Sequence, residues 1–190
     1  MRGDQREASV IRKAATAVLA AAAVLVVGAG CSSSTSGTAS PETSDPKAAT
    51  AALWDPCTQV TDGVLRQVGV DPNTRESGIG GVAVDGWKSC TWHDTPNWEY
   101  SLTVWSSVNS IDDLKQKDGN TDFVDTTVGG RAGVQYKGGS GANGEQCFVS
   151  FPAKQGIVEV SALNVTTRTS VSACDRVSSA AAVIVPILPR

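Results

Sequence analysis

An apolar segment that ends at a cysteine near the start of the chain indicates which residues belong to the folded domain. Residues 14–27 are almost entirely apolar, residues 28–30 are small, and Cys31 is followed by a run of serines. Four basic residues precede the apolar segment, as in the positively charged start of an export signal. Its fourteen residues are fewer than the roughly 20 that a membrane-spanning helix needs. We therefore predict that residues 1–30 are a lipoprotein signal peptide and that the remainder folds outside the cytoplasm.

The signal indicates that Cys31 is the residue that is modified. A lipoprotein signal is cut immediately before a cysteine whose sulfur carries the lipid. We therefore expect a lipidated, palmitate-bearing Cys31 that holds the protein to the extracytoplasmic face of the cell membrane. The signal departs from the usual pattern at Gly28, where leucine is more common. The alternatives are an ordinary secretory signal, or an uncleaved anchor, in which Cys31 has no special role.

The residues after Cys31 divide into a linker and one domain. Nine of the fourteen residues from 32 to 45 are serine or threonine, a composition that buries too little apolar surface to fold. We predict a flexible tether over 31–52 and a single extracytoplasmic domain over 53–190. Removal of residues 1–30 takes away four basic and two acidic residues, so the net charge changes from −3 to −5. An acidic domain without a basic cluster is not expected to bind nucleic acid.

Four further cysteines lie within the predicted domain. They are Cys57, Cys90, Cys147 and Cys174. An even number of cysteines in an exported chain indicates disulfides, here two. A zinc site is the competing interpretation, but the cysteines lack C-x-x-C spacing and the chain has one histidine. We expect no metal and no cofactor, and the spacing alone does not choose among the three possible pairings.

Hydrophobic periodicity and turn residues predict the secondary structure. Strands are expected over 82–84 with 87–93, 98–107, 123–128, 132–136, 146–151 and 157–163. Helices are expected over 63–68, 110–115 and 171–185. The order of these elements predicts an α+β fold. We expect an antiparallel sheet of about five or six short strands, with the N- and C-terminal helices packed on one face and two disulfides.

The last helix suggests how the cysteines pair. Cys174 lies on its apolar face, with Val177 and Ala181, and this face should pack on the sheet. Cys147 lies on a strand that such a helix would cover. We therefore predict a Cys147–Cys174 disulfide, which leaves Cys57 to pair with Cys90.

Several short motifs follow one another in a distinctive order. They are Asp55-Pro56-Cys57, a helix that ends at Val68-Gly69-Val70, Cys90-Thr91-Trp92, and Val128-Gly129-Gly130-Arg131-Ala132. From Asp55 to Pro189 the chain resembles the actinobacterial lipoprotein family that carries a DPC motif and includes the mycobacterial LprB- and LprC-type lipoproteins. The resemblance implies a membrane-anchored domain of unknown function and carries over no catalytic residue.

His93 is the one residue around which a hydrolase could be built, because it is the only histidine. A catalytic triad would need a serine and an acid folded around it, and the G-x-S-x-G motif of many hydrolases is missing. The glycine runs at 78–81 and 138–141 lack the lysine of a phosphate-binding loop, so we interpret them as plain loops.

Tryptophans are the most unusual feature of the domain. Trp105 lies in the opposite strand phase to Tyr100 and Leu102, so it should face outward, whereas Trp98 shares their inward phase. Exposed aromatic residues are typical of recognition surfaces. We therefore predict a candidate binding surface of Trp105, Trp98 and Trp87, with packing beneath a loop or helix as the alternative.

These observations predict a lipid-anchored envelope protein that binds a partner without catalysing a reaction. An envelope protein, a glycan or a lipid could bind to the sheet face and the glycine-rich loops. A cell-wall or ester hydrolase centred on His93 is the alternative, and a structural or sensory accessory of a membrane complex is a third possibility.

Overall fold

The computed structural model describes residues 45–139, 146–166 and 169–190, which belong to one unit built on an antiparallel sheet. The strands are β1 Glu76–Ser77, β2 Trp87–His93, β3 Tyr100–Ser107, β4 Thr121–Val128, β5 Arg131–Lys137, β6 Gln146–Ala153 and β7 Gly156–Asn164. The helices are α1 Pro46–Ala52, α2 Pro56–Gln59, α3 Asp62–Gln67, α4 Ile111–Gln116 and α5 Ala173–Ile184, with short 3-10 turns at Pro72–Thr74 and Val185–Ile187. The sheet order is β1-β2-β3-β7-β6-β5-β4. The α+β prediction is confirmed, and β1 is the strand beyond the six expected.

Tight turns build the hairpins of this sheet. Gly129 and Gly130 join β4 to β5, and both have positive φ angles, 56° and 77°, as a two-residue hairpin turn requires. The β6–β7 hairpin closes through the pair Ala153 and Gly156. β3 and β7, which are far apart in sequence, then pair along eight residues at the centre of the sheet. A sheet with two well-defined faces results.

One face of the sheet, which we call the helical face, carries the main core. Val104, Val160 and Val149 are neighbours across β3, β7 and β6, and all are buried. α5 packs on them through Val177 and Ala181. Alternating apolar residues on the strands and a three- and four-residue spacing on α5 produce this contact.

Both disulfides lie on the helical face. Cys57–Cys90 joins α2 to β2 and Cys147–Cys174 joins β6 to α5, with Cα–Cα distances of 5.1 and 5.0 Å. The predicted pairing and the predicted position of the terminal helices are therefore confirmed.

The other face, which we call the cavity face, is covered in part by α4. Leu114 of α4 packs with Tyr136 and Ile157, which point away from α5. Ser110 caps α4: its hydroxyl accepts a hydrogen bond from the Asp113 amide, and the Asp113 carboxylate accepts one from the Ser110 amide. The sequence predicted this helix but not the face of the sheet on which it packs.

The chain begins its regular structure earlier than expected. Residues 46–52, assigned to the flexible tether, form α1, because Asp45 caps the helix and Pro46 occupies its first position. The Thr50 hydroxyl accepts a hydrogen bond from the Gly86 amide at 2.6 Å, which attaches α1 to the start of β2. The tether prediction is therefore wrong for 46–52. The predicted signal peptide, Cys31 and the rest of the tether lie outside the described residues.

Two other boundaries differ from expectation. Residues 82–84 were predicted as strand, but Val82 forms only an isolated bridge to Ile79, and residues 83 and 84 have no regular structure. α5 begins at Ala173 rather than Val171, because the hydroxyl of Ser172 accepts the hydrogen bond of the Asp175 amide.

Over the stretches for which coordinates are described, every helix falls short of the length and apolar character that crossing a membrane requires.

Candidate functional site

A cavity of about 660 Å³ opens on the cavity face, between α4 and strands β3, β7, β6 and β5. Its volume lies within the range of roughly 300–1,000 Å³ that is usual for small-molecule sites. The strands supply Trp105, Glu159, Phe148 and Tyr136, and Trp87 comes from the start of β2. The cavity therefore combines aromatic walls with the acidic side chain of Glu159.

The aromatic walls hold one another in fixed orientations. Trp87 and Trp105 meet edge to face with ring centroids 6.0 Å apart, and Phe148 stacks on Tyr136 at 4.8 Å. Phe123 of β4 stacks on the other side of Tyr136 at 4.9 Å. Such contacts add to the packing energy of the rings and restrict their rotation. The walls are thus held in place by contacts within the protein itself.

The indole nitrogen of Trp105 has a partner as well. Its Nε1 donates a hydrogen bond to the Ser161 hydroxyl at 2.9 Å, which holds the ring edge against β7. Held in this way, the ring of Trp105 faces its aromatic neighbours Trp87 and Phe148.

Glu159 forms the base of the cavity. It is only 2% exposed, and the Tyr136 hydroxyl donates a hydrogen bond to its Oε2 at 2.9 Å. The Ser150 hydroxyl donates to the same oxygen. Among the described residues, none donates a hydrogen bond to Oε1. Oε2 is therefore fixed by two hydrogen bonds, and Oε1 has no donor in the part of the chain that the structure describes.

Burial dominates the electrostatics of this carboxyl group. Desolvation raises the pKa of Glu159 to about 7, against the opposing effects of the Ser150 and Tyr136 hydrogen bonds and the Lys117 charge. Burial, together with the nearby Glu159 charge, also raises the pKa of the Tyr136 hydroxyl. Near neutral pH the cavity thus contains a glutamate that is readily protonated or ionised.

Lys117 brings a positive charge to the rim. It follows α4 directly, and its Nζ lies 5.9 Å from the ring centroid of Trp87, within the range of a cation–π contact. Asp118 and Asn120 of the same segment also line the cavity. The rim is therefore polar, whereas the walls are aromatic.

The comparisons with known proteins identify the family. A family model described as a protein of unknown function, DUF3558, matches residues 26–186. The chain belongs to the DUF3558 family. No curated protein and no solved structure matches the chain. The family match includes every strand of the DUF3558 sheet and all the cavity residues named above.

The structure of this DUF3558 domain brings together two of the three predicted tryptophans. Trp87 and Trp105 share the cavity, and Trp105 faces away from Leu102 as the strand alternation predicts. Trp87 also packs against the cluster that contains Leu114 of α4, so for this residue the structure combines the two interpretations considered, a binding surface and packing under a helix. The role of these residues in binding stays a prediction.

Trp98 lies outside the cavity, and its predicted inward position is wrong. Strand β3 begins only at Tyr100, because the Asp94 carboxylate accepts a hydrogen bond from the Tyr100 amide and this bond closes the preceding turn. Trp98 in that turn has a φ of 45° and is 53% exposed. Its ring stacks on His93 with centroids 4.5 Å apart, and its indole nitrogen donates to Ser101.

His93 has simple local contacts. Its Nδ1 donates a hydrogen bond to the carbonyl oxygen of Asp94 at 2.8 Å. Within 45–139, 146–166 and 169–190, no serine hydroxyl or carboxylate is hydrogen-bonded to the ring. Those same residues contain no group of three histidine, cysteine or acidic side chains that could hold a metal ion. The hydrolase hypothesis for His93 stays a prediction.

Glu159 is the site residue that the sequence interpretation missed. A signal was present, since Glu159 interrupts the apolar run Ile157-Val158-Glu159-Val160 in the middle of a predicted strand. A charged residue at such a position is buried only when it has partners. Those partners, Tyr136 and Ser150, come from two other strands, and local sequence patterns do not pair them with Glu159.

Proposed function

We propose that this DUF3558 protein is a lipid-anchored envelope protein whose domain binds a small ligand in the aromatic cavity without converting it chemically. The observation that carries the proposal is the cavity of about 660 Å³ with preformed aromatic walls and Glu159 at its base. Concave, mostly apolar sites with a few convergent polar groups are the usual form of small-molecule sites. A partner protein or a long glycan would use a flatter surface.

The cellular address is part of the proposal. The apolar segment that ends at Cys31, the serine-rich linker and the two disulfides all support export and membrane anchoring. Kinship with the LprB- and LprC-type lipoproteins of actinobacteria belongs to the same proposal. Radiolabelled palmitate should be incorporated into the wild-type chain and not into the Cys31→Ala variant. Equal labelling of both would refute the anchor.

A pair of matched variants tests ligand binding. Val84 lines the cavity and is 39% exposed, so Val84→Trp places an indole in the space that a ligand would occupy. Val82, two residues away, is 62% exposed and does not line the cavity, so Val82→Trp adds the same bulk elsewhere.

The variants are compared with the wild-type full chain in detergent micelles by ligand-observed NMR. The compounds tested are soluble amines, carboxylates, sugars and neutral aromatics. We expect at least one class to bind the wild type and Val82→Trp equally, and to bind Val84→Trp at least about tenfold more weakly, a loss of roughly 1.4 kcal/mol. If no class distinguishes Val84→Trp from the wild type, the cavity is not a binding site.

A further inference from the structure

We propose that the ligand of this cavity is an organic cation, whose ammonium group lies between the indole rings of Trp87 and Trp105 and the carboxylate of Glu159. The inference rests on the proposed binding function and specifies the chemical class of the ligand. Aromatic faces and a carboxylate at the base of one cavity form the kind of cage that recognises alkylammonium groups.

The first support comes from an ammonium group that the protein itself places at the cavity. Lys117 Nζ lies 5.9 Å from the centroid of Trp87. Lys117 is an exposed residue at the end of α4, so its side chain can move into water and leave that ring face to a ligand. The cavity wall is therefore already suited to a positive charge.

The second support is the arrangement around Glu159. Oε2 accepts both protein hydrogen bonds, from Tyr136 and Ser150, and Oε1 has no donor among the described residues. A buried carboxylate is stabilised when an opposite charge or a donor reaches it. A ligand ammonium next to Oε1 would supply that charge. The two hydrogen bonds to Oε2 hold the carboxylate in position for this contact.

An anionic ligand fits this arrangement less well. It would approach Glu159 and Asp118, and among the described lining residues only Lys117 at the rim would attract it. Glu159 cannot leave the site because it is 2% exposed and held by two hydroxyl groups, whereas Lys117 can. The charge that is built into the cavity is therefore the negative one.

Ionisation of Glu159 adds a pH dependence to the binding of a cation. Among the described residues, the titratable and charged groups that share the cavity with it are Tyr136 from β5 and Lys117 and Asp118 after α4, while β3 and β6 contribute the uncharged Trp105 and Ser150. Because the pKa of Glu159 is about 7, roughly a tenth of the carboxyl groups are ionised at pH 6 and most are at pH 8. Affinity for a cation should then rise about tenfold between these two pH values.

Three small probes of one shape separate the ligand classes. Choline is the cation, 3,3-dimethyl-1-butanol replaces its trimethylammonium group by a neutral tert-butyl group, and 3,3-dimethylbutanoate carries a negative charge. Binding to the full chain in detergent micelles is measured at pH 6 and pH 8 from the indole N–H resonances of Trp87 and Trp105. We expect choline to bind at least about tenfold more tightly than the alcohol at pH 8.

Two charge variants and a matched control complete the experiment. Glu159→Gln should weaken choline binding about tenfold and remove its dependence on pH, while far-UV circular dichroism checks that the variant is folded. Lys117→Met removes the competing ammonium and should tighten choline binding severalfold. Lys115→Met removes an equal charge from α4 at a position that does not line the cavity, and it should leave binding unchanged.

The sign of the Lys117 effect decides the outcome. Tighter binding of choline by Lys117→Met supports a cation site. Equal or stronger binding of the alcohol or the carboxylate, or weaker choline binding by Lys117→Met, overturns the cation inference and leaves the binding function standing. If none of the three probes shifts the indole resonances, the cation inference also fails, and the comparison of Val84→Trp with Val82→Trp then decides the binding function separately.

Discussion

Glu159 should make the stability of the domain depend on pH in a direction opposite to that of most acidic residues. An unfolded glutamate titrates near pH 4.5, whereas burial raises the pKa of Glu159 to about 7 in the folded state. Below pH 4.5 both states hold the proton. Between pH 4.5 and 7 the folded state keeps the proton that the unfolded state has released, so the free energy of unfolding falls as the pH rises. Above pH 7 the loss is complete.

The size of the effect follows from the two pKa values. Each pKa unit corresponds to about 1.4 kcal/mol, so ionising Glu159 should lower the free energy of unfolding by about 3 kcal/mol between pH 4.5 and pH 8. Glu159→Gln keeps the shape and an oxygen that can accept from Tyr136 and Ser150, but it cannot ionise. The variant should match the wild type at pH 4.5 and exceed its stability by about 3 kcal/mol at pH 8.

Equilibrium urea unfolding of the full chain, followed by tryptophan fluorescence, measures this difference at several pH values. Subtracting one curve from the other cancels the titration of every other group. Asp113→Asn serves as a control, because hydrogen bonds from Ser110 lower the pKa of that carboxyl from its ordinary 3.8, so its contribution is lost only below that pH and its difference from the wild type should stay constant from pH 4.5 to 8. A difference between wild type and Glu159→Gln that is constant from pH 4.5 to 8 would refute the buried, protonated glutamate.

Three other predictions concern stability, and urea unfolding at fixed pH tests each. Ser110→Ala removes the cap of α4 and should cost about 1 kcal/mol; an unchanged midpoint would mean that the cap contributes nothing. Replacing both Cys147 and Cys174 with serine opens a loop with a sequence separation of 27 and should cost about 3–4 kcal/mol, whereas a loss below about 1 kcal/mol would contradict the loop-entropy estimate. Gly156→Ala should cost at least about 2 kcal/mol, because φ is 127° and the new methyl group would overlap a backbone carbonyl of β3. Its control Gly63→Ala lies in α3 with free space around the new methyl group and should stabilise by about 0.5–1 kcal/mol.

Local patterns were sufficient for most elements of this fold. Alternating residues located β3, β6 and β7, and hydrophobic periodicity with turn residues located α3 and α4, because these signals depend on neighbours within a few residues. The disulfide pairing also followed, since the apolar face of α5 and the buried face of β6 have only one cysteine each.

The cavity depends on contacts that such patterns do not describe. Its base comes from Glu159, its hydrogen-bond donors from two other strands, and its rim from Lys117 beyond α4. α4 carries apolar residues that would fit either face of the sheet, so its sequence does not choose between them. Trp98 illustrates a different limit, because a positive φ in a non-glycine residue is set by the turn around it.

Both cross-links of the domain lie behind the sheet, on the side away from the cavity. The cystines and the packing of α5 therefore hold the sheet on that side, while the side chains that line the cavity are oriented by their contacts with one another. Substitutions at the rim, such as those at Lys117 or Val84, should alter what the cavity accepts without loosening the cross-linked half. Under the proposed binding function, a domain divided in this way can change its ligand preference at the rim while the fold is left intact.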